Sequence, residues 1–196
     1  MRKLVIATQN RNKYKEMKDA LAGLDWEILP AFEFPGVPEV VEDGQTLESN
    51  SLKKARTISE FTGEACLSDD TGLFVDVLDG QPGIYAARFA GKNCTYEDNV
   101  RKLLGLMRDI PAEKRKATFR TVITVYQPNL PPRQVSGEAS GWITEEARGA
   151  AGFGYDPIFL PEGRSKVFAE MTLREKNHIS HRGKALQKTR QLLSSL

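Results

Sequence analysis

The sequence predicts an α/β fold, and three observations carry that prediction. Leu4 to Ala7 is a short apolar run with β-branched residues, and Tyr14, Met17, Leu21 and Leu24 recur after it at helical spacing. Further strand-like runs, Ala65 to Ser68 and Leu73 to Leu78, lie between segments with helical periodicity. Hydrophobic residues make up 40% of the 196, enough to fill a core, and 16 Gly with 10 Pro is ordinary for a globular chain. One domain covering 1–196 is the expectation at this length.

Taken in order, the first strand gives way to the polar stretch Thr8-Gln9-Asn10-Arg11-Asn12-Lys13 and then a helix. Glu27 to Leu29 is a candidate second strand. Phe34 to Gly44, with Pro35, Gly36 and Pro38, reads as a loop holding Glu39, Glu42 and Asp43. Thr46 to Phe61 reads as a helix with Leu47, Ser51, Ile58 and Phe61 on one face; Lys54 falls in the middle of that stripe, where a solvent-facing lysine would not be placed. Asp69-Asp70-Thr71-Gly72 separates the two central strand runs. Thr95-Tyr96-Glu97-Asp98 has capping-box spacing and leads into a helix with Val100, Leu103, Leu104 and Met107. Thr118 to Tyr126 and Gln134 to Ile143 form a predicted hairpin around a Pro-rich turn. Thr172 and Ser180 are predicted N-caps of a short helical turn and a terminal helix.

A net charge of +2 excludes electrostatic wrapping of a nucleic-acid backbone. Cys66 and Cys94 are too few for a disulfide framework and point to a reducing compartment, and no segment has the length or apolarity of a signal core or membrane helix. The expectation is a soluble, cytoplasmic protein. Zinc is disfavoured, since no Cys-x-x-Cys pair accompanies His178 and His181.

Four segments carry chemistry, each with a plainer account beside it. Thr8 to Lys13 lies between strand and helix, where backbone N–H groups, hydroxyl and amide side chains and a lysine can receive a polyphosphate; it can equally be a helix cap with a surface lysine. Glu42-Asp43-Gly44 and Asp69-Asp70-Thr71-Gly72 offer the oxygen ligands Mg²⁺ prefers, and a carboxylate beside the metal can accept a proton from water; alternatively, Asp-Asp-Thr-Gly is a turn with Gly72 at positive φ. Phe153-Gly154-Tyr155-Asp156-Pro157 combines aromatic faces with an acid, which suits a nucleobase, or is ordinary loop packing. In Arg174 to Gly183, cations and two imidazoles crowd a helix start, an unfavourable placement unless an anion sits among them, which favours a ligand site over the plainer account of a solvated charge run.

In this order these segments, with Asn50, Lys54-Ala55 and Pro82-Gly83-Ile84-Tyr85-Ala86-Ala87-Arg88, resemble the inosine triphosphate pyrophosphatase family, hydrolases of ITP, dITP and XTP. The resemblance runs from the first strand to the last helix. It implies an elongated domain with a long mixed sheet, two lobes around a central cleft, and a homodimer. It implies that Thr8, Gln9, Asn10, Arg11, Asn12 and Lys13 hold the triphosphate, and that Lys54 points towards the phosphates. Glu42 and Asp70 would bind Mg²⁺, with Asp70 the catalytic proton acceptor and Thr71 a substrate contact. Phe153, Gly154, Tyr155 and Asp156 would stack on and read the base, and Lys176, His181 and Arg182 would complete the pocket. The implied reaction is attack of water at the α-β linkage, giving the nucleoside monophosphate and pyrophosphate. The alternative is a nucleotide-binding regulatory module without turnover. Neither alternative calls for nucleic acid or membrane.

Two stretches depart from the family pattern. Ser49-Asn50-Ser51 replaces Glu-Asn-Ala, and Gly149-Ala150-Ala151-Gly152 replaces Gly-Thr-Gly-Gly, so an acidic contact is lost and a loop is stiffened. For selectivity, ITP and XTP carry a 6-oxo acceptor where ATP carries an amino donor. A donor at that edge, for which Arg182 is the candidate, leaves ATP unpaired.

Overall fold

The computed structural model describes residues 2–196. Its sheet has seven strands: β1 (Arg2–Ile6), β2 (Trp26–Pro30), β3 (Ala65–Val75), β4 (Pro82–Gly83), β5 (Lys116–Tyr126), β6 (Arg133–Ile143) and β7 (Phe159–Pro161). The order is β2-β1-β3-β5-β6-β7, with β4 beside β3. β1 is parallel to both β2 and β3, whereas β3–β4 and β6–β7 are antiparallel, so the sheet is mixed. The helices are α1 (Arg11–Leu21), α2 (Leu47–Thr62), α3 (Tyr96–Leu106), α4 (Leu173–Ile179) and α5 (His181–Ser194). No helix among the described residues is long and apolar enough to cross a membrane.

The chain folds into two compact units. Residues 1–70, 121–137 and 182–196 make the first, and 71–120 and 138–181 the second. In the first, β1 is buried on both faces, as a parallel strand covered by helices must be. Leu4 and Ile6 pack with Met17 and Leu21 of α1 and Ala185, Leu186 and Leu193 of α5. Val5 and Ala7, alternating to the other face, pack with Ala55 and Ile58 of α2 and with Cys66. In the second, Leu103 and Met107 join Phe119, Ala139, Ile143, Phe159 and Phe168 in one core.

The predicted helices and hairpin strands form where their patterns place them; the capping box predicted at Thr95 is present with Asp98, and Thr172, predicted as an N-cap, caps α4 and forms a capping box with Glu175 as well. Two expectations are corrected. Asp69-Asp70-Thr71-Gly72 is no turn: it lies inside the continuous eleven-residue strand β3. Gly72 serves a different purpose from the positive φ expected of it, because a Cβ there would stand 2.9 Å from the Gly83 carbonyl oxygen of the paired strand. Phe61 leaves the buried stripe of α2 and is 45% exposed, whereas Leu47, Ser51 and Ile58 are buried.

Candidate active site

The functional residues assemble in two groups, one within each unit. The first is built around the point where β1 ends and α1 begins. Thr8 Oγ1 accepts from the Asn10 N–H at 3.1 Å, and Asn10 Oδ1 accepts from the N–H groups of Asn12 and Lys13 at 2.9 and 3.1 Å. Asn10 therefore caps α1, and those backbone donors, expected to face an anion, are bonded internally. Arg11 lies over the Phe32 ring at 4.9 Å, and Gln9 and Asn12 are exposed. The cation of this loop is Lys13, whose Nζ stands 3.1 and 3.2 Å from the two oxygens of Asp69.

Asp69 is the residue whose importance the sequence did not reveal. It is 1% exposed, and besides Lys13 it accepts from Nε and Nη2 of Arg182 at 3.2 and 3.1 Å. Arg182 Nη1 donates to Glu16 Oε2 at 2.8 Å. Burial alone would raise the Asp69 pKa, but Lys13, Arg182 and Lys54 together hold it well below the usual carboxylate range. Lys13 shifts downward, burial outweighing the attraction of Asp69. Arg182, expected at the base edge, is thus tied by its guanidinium into the first unit, where α1, β3 and α5 meet.

The next residue along β3 has the opposite environment. Burial pushes the Asp70 carboxyl above its ordinary range and Glu42 adds to the shift, while Lys54 works against it. Lys54 Nζ lies 2.6 Å from Glu42 Oε1 and 3.7 Å from Asp70 Oδ1. Burial would strip its proton, but Glu42, Asp69 and Asp70 overcome that and raise its pKa. Asn50, buried and assigned no role beforehand, connects this cluster. Its Nδ2 donates to Asp70 Oδ2 at 3.1 Å, and its Oδ1 accepts from the Gly44 N–H at 2.8 Å, two residues beyond Glu42. Beneath them, Ser51 Oγ donates to Thr124 Oγ1 at 2.7 Å and lies 3.1 Å from Ser68 Oγ. Ser49, where the resemblance led to an expectation of Glu, completes the capping box of α2 with Thr46. Neither departure on α2 leaves a hole; both hydroxyls are used.

The second group centres on Asp156. Its Oδ2 accepts from Lys176 Nζ at 2.7 Å and from the Phe153 N–H at 2.8 Å. Lys176 Nζ also lies 4.8 Å from the centre of the half-buried Phe153 ring. A Cβ on Gly152, which has φ of 78°, would fall 2.1 Å from Asp156 Oδ2, so the loop closes on the carboxylate only with glycine there. Ala150 and Ala151 are exposed and absent from the residues with positive φ, so their methyl groups impose no backbone strain. Tyr155 is buried and donates to the Ala86 carbonyl at 2.9 Å, a packing role, whereas Phe153 is only half-buried. His181 is buried, its ring stacked on Phe119 at 4.3 Å. Thr71 follows Asp70 on β3 and is partly exposed.

The chain that carries this site, with Lys13 of α1 on one strand carboxylate and Lys54 of α2 beside the next, is similar to known proteins over almost all of its length. The Ham1 family model matches residues 4–192. The chain belongs to the Ham1 family. A dITP/XTP pyrophosphatase of Caldanaerobacter subterraneus subsp. tengcongensis is 48% identical, with 98% of this chain and 96% of that protein covered. One from Desulforamulus reducens is 45% identical over 99% of this chain and 96% of its own length. Among solved structures, a HAM1 protein from Coxiella burnetii superposes with a TM-score of 0.91 at 37% identity, covering 100% of both chains.

Proposed function

We propose that this Ham1 family chain hydrolyses dITP, XTP and ITP to the nucleoside monophosphate and pyrophosphate, and so clears non-standard purines from the nucleotide pool. The observation that carries the reading is the pair of neighbouring carboxylates on β3 with opposed environments. Asp69, ionised, anchors the Lys13 cation. Asp70, with a raised pKa, is suited to accept a proton. The names of the relatives support the substrate class.

In this reading Lys13, Lys54 and the polar side chains of Thr8 to Asn12 hold the triphosphate. Asp70 takes the proton of the attacking water as its oxygen bonds to the α-phosphorus and the bond to the bridging oxygen breaks, releasing pyrophosphate; Thr71 contacts substrate beside it. Phe153 stacks on the base, Gly154 keeps the approach to it open, Tyr155 and His181 hold the surrounding core, and Asp156 fixes both the loop and Lys176. Arg182 acts here by fixing Asp69, and Lys176, beside the Phe153 ring, is the cation at the base.

A divalent cation fits the site. Glu42 and Asp70 already direct oxygens at one positive charge, Lys54 Nζ, and carboxylate oxygens are the donors Mg²⁺ prefers. Among the described residues no three His, Cys, Asp or Glu side chains form a metal cage, so the protein offers two carboxylates and leaves the other positions to phosphate and water. When bound, Mg²⁺ supplies charge neutralisation and activates water. The free thiols Cys66 and Cys94 support a cytoplasmic setting, and the homodimer rests on the family resemblance.

The test is product analysis with ITP, dITP, XTP, ATP and GTP plus Mg²⁺. Monophosphate and pyrophosphate, with ATP much the slower, are expected; diphosphate with orthophosphate, or equal rates on ATP, would refute the proposal.

A further inference from the structure

We propose that Lys54 holds the divalent-cation site closed until a polyphosphate draws it away, so that metal and nucleotide bind as a coupled pair. The inference rests on the reading of Glu42 and Asp70 as metal ligands. Its basis is geometric. The Lys54 ammonium occupies the position where these two carboxylates converge, 2.6 Å from one and 3.7 Å from the other. The site is partly shielded from water, the side chains of Lys54 and Asp70 being 12% and 7% exposed and that of Glu42 30%, so charges there are screened less than at the surface.

A divalent ion entering with Lys54 in place would sit beside an ammonium at contact distance, competing for the same oxygens and repelled by it. Two such charges at about 4 Å repel strongly at a partly buried site. Swinging out to water costs Lys54 its contacts with two carboxylates, a loss that another anion offsets. A triphosphate is one. It takes the lysine and leaves both carboxylates facing the metal that accompanies it. By reciprocity, metal on the carboxylates frees Lys54 for phosphate and strengthens nucleotide binding by the same factor. Lys13 is placed differently: when it turns to phosphate, its carboxylate Asp69 keeps Arg182. Only one of the two phosphate lysines therefore gates the metal.

The experiment is Mn²⁺ binding to the full, nucleotide-free chain, followed by the electron paramagnetic resonance signal of free Mn²⁺. The unmutated protein should bind weakly, and K54M and K54Q should each bind at least ~10-fold tighter, as expected when a cation in contact with the site is removed. K54Q keeps a polar side chain of similar length, so the test survives should methionine disturb folding. K53M removes a neighbouring surface cation, paired with Asp43, and should change affinity less than about threefold, as exposed charges do. In the K54M background, E42Q should abolish the gain. If K54M and K54Q bind Mn²⁺ no tighter than the unmutated chain while E42Q still weakens that binding, the gate is refuted and the metal ligands stand. An equal gain from K53M also refutes the gate. A gain that E42Q leaves untouched refutes the ligand assignment itself, and the inference with it.

Discussion

Neighbouring carboxylates on one strand should respond in opposite directions to the same substitution. In Asp69→Asn, the amide replaces a buried carboxylate that holds both Lys13 and Arg182, at 3.1 Å each. Both cations stay inside, and removing one partner from a buried ionic cluster costs about 3–5 kcal/mol. With a urea m-value of about 2 kcal/mol/M, the unfolding midpoint should fall by roughly 1.5–2.5 M. Asp70→Asn removes a charge that its surroundings disfavour, so its midpoint should stay level or rise while turnover is lost. The pH dependence follows from the signs. The folded pKa of Asp69 lies below its unfolded value near 3.9, so its contribution is complete above that value and lost as pH falls below it. The deficit of Asp69→Asn should be equal at pH 7 and pH 5 and shrink below about pH 4. The folded pKa of Asp70 lies above its unfolded value, so any gain from Asp70→Asn should grow as pH rises through that interval and vanish in acid. Urea unfolding of both variants across this range is the assay. An Asp69→Asn loss under about 1 kcal/mol, or equal losses from both substitutions, would refute the reasoning.

Other predictions follow from single contacts. Asn50→Ala, which cuts the link from Gly44 to Asp70, should lower kcat about 10–100-fold, with KM moving much less, as measured by initial rates on dITP. Phe153→Ala should weaken substrate binding by about 1–3 kcal/mol if the ring stacks on the base, and an unchanged KM for dITP would remove that role. Gly141→Ala would place a Cβ 2.3 Å from the Leu160 carbonyl oxygen across the β6–β7 pairing, and thermal unfolding should register a loss of about 1–3 kcal/mol. Chelation by EDTA should stop hydrolysis, with Mg²⁺ restoring it; steady rates in EDTA would contradict a metal at Glu42 and Asp70.

Much of the fold could be read from the sequence because local signals and burial agree. The stripe Met17–Leu21 and the cap at Asn10 both specify α1, and Thr95 with Asp98 marks the start of α3. The reading failed at Asp69-Asp70-Thr71-Gly72, whose polar and glycine content imitates a turn. The strand survives there because Lys13, Arg182 and Asn50 satisfy the two carboxylates from other elements, and no local pattern reports on partners so distant in sequence. Lys54 was visible because a lysine interrupts an apolar stripe. Glu16 sits between two periodic residues, where a polar residue is unremarkable, and did not stand out; Asn50 entered only through the family resemblance, since beside a helix start its residue type carries no sign of a role. The anion receptor was half legible: Lys13 is there, but the Asn10 side chain, not an incoming phosphate, satisfies the backbone N–H groups of residues 12 and 13.

The junction of Asp69 with Arg182 also joins elements that lie far apart along the chain. Lys13 and Glu16 lie on α1 and Asp69 on β3, whereas the guanidinium that bonds both acids comes from α5, which begins at His181. α1, β3 and α5 are therefore tied by charge as well as by apolar packing, and α5 cannot peel away without leaving two buried acids short of the arginine they share.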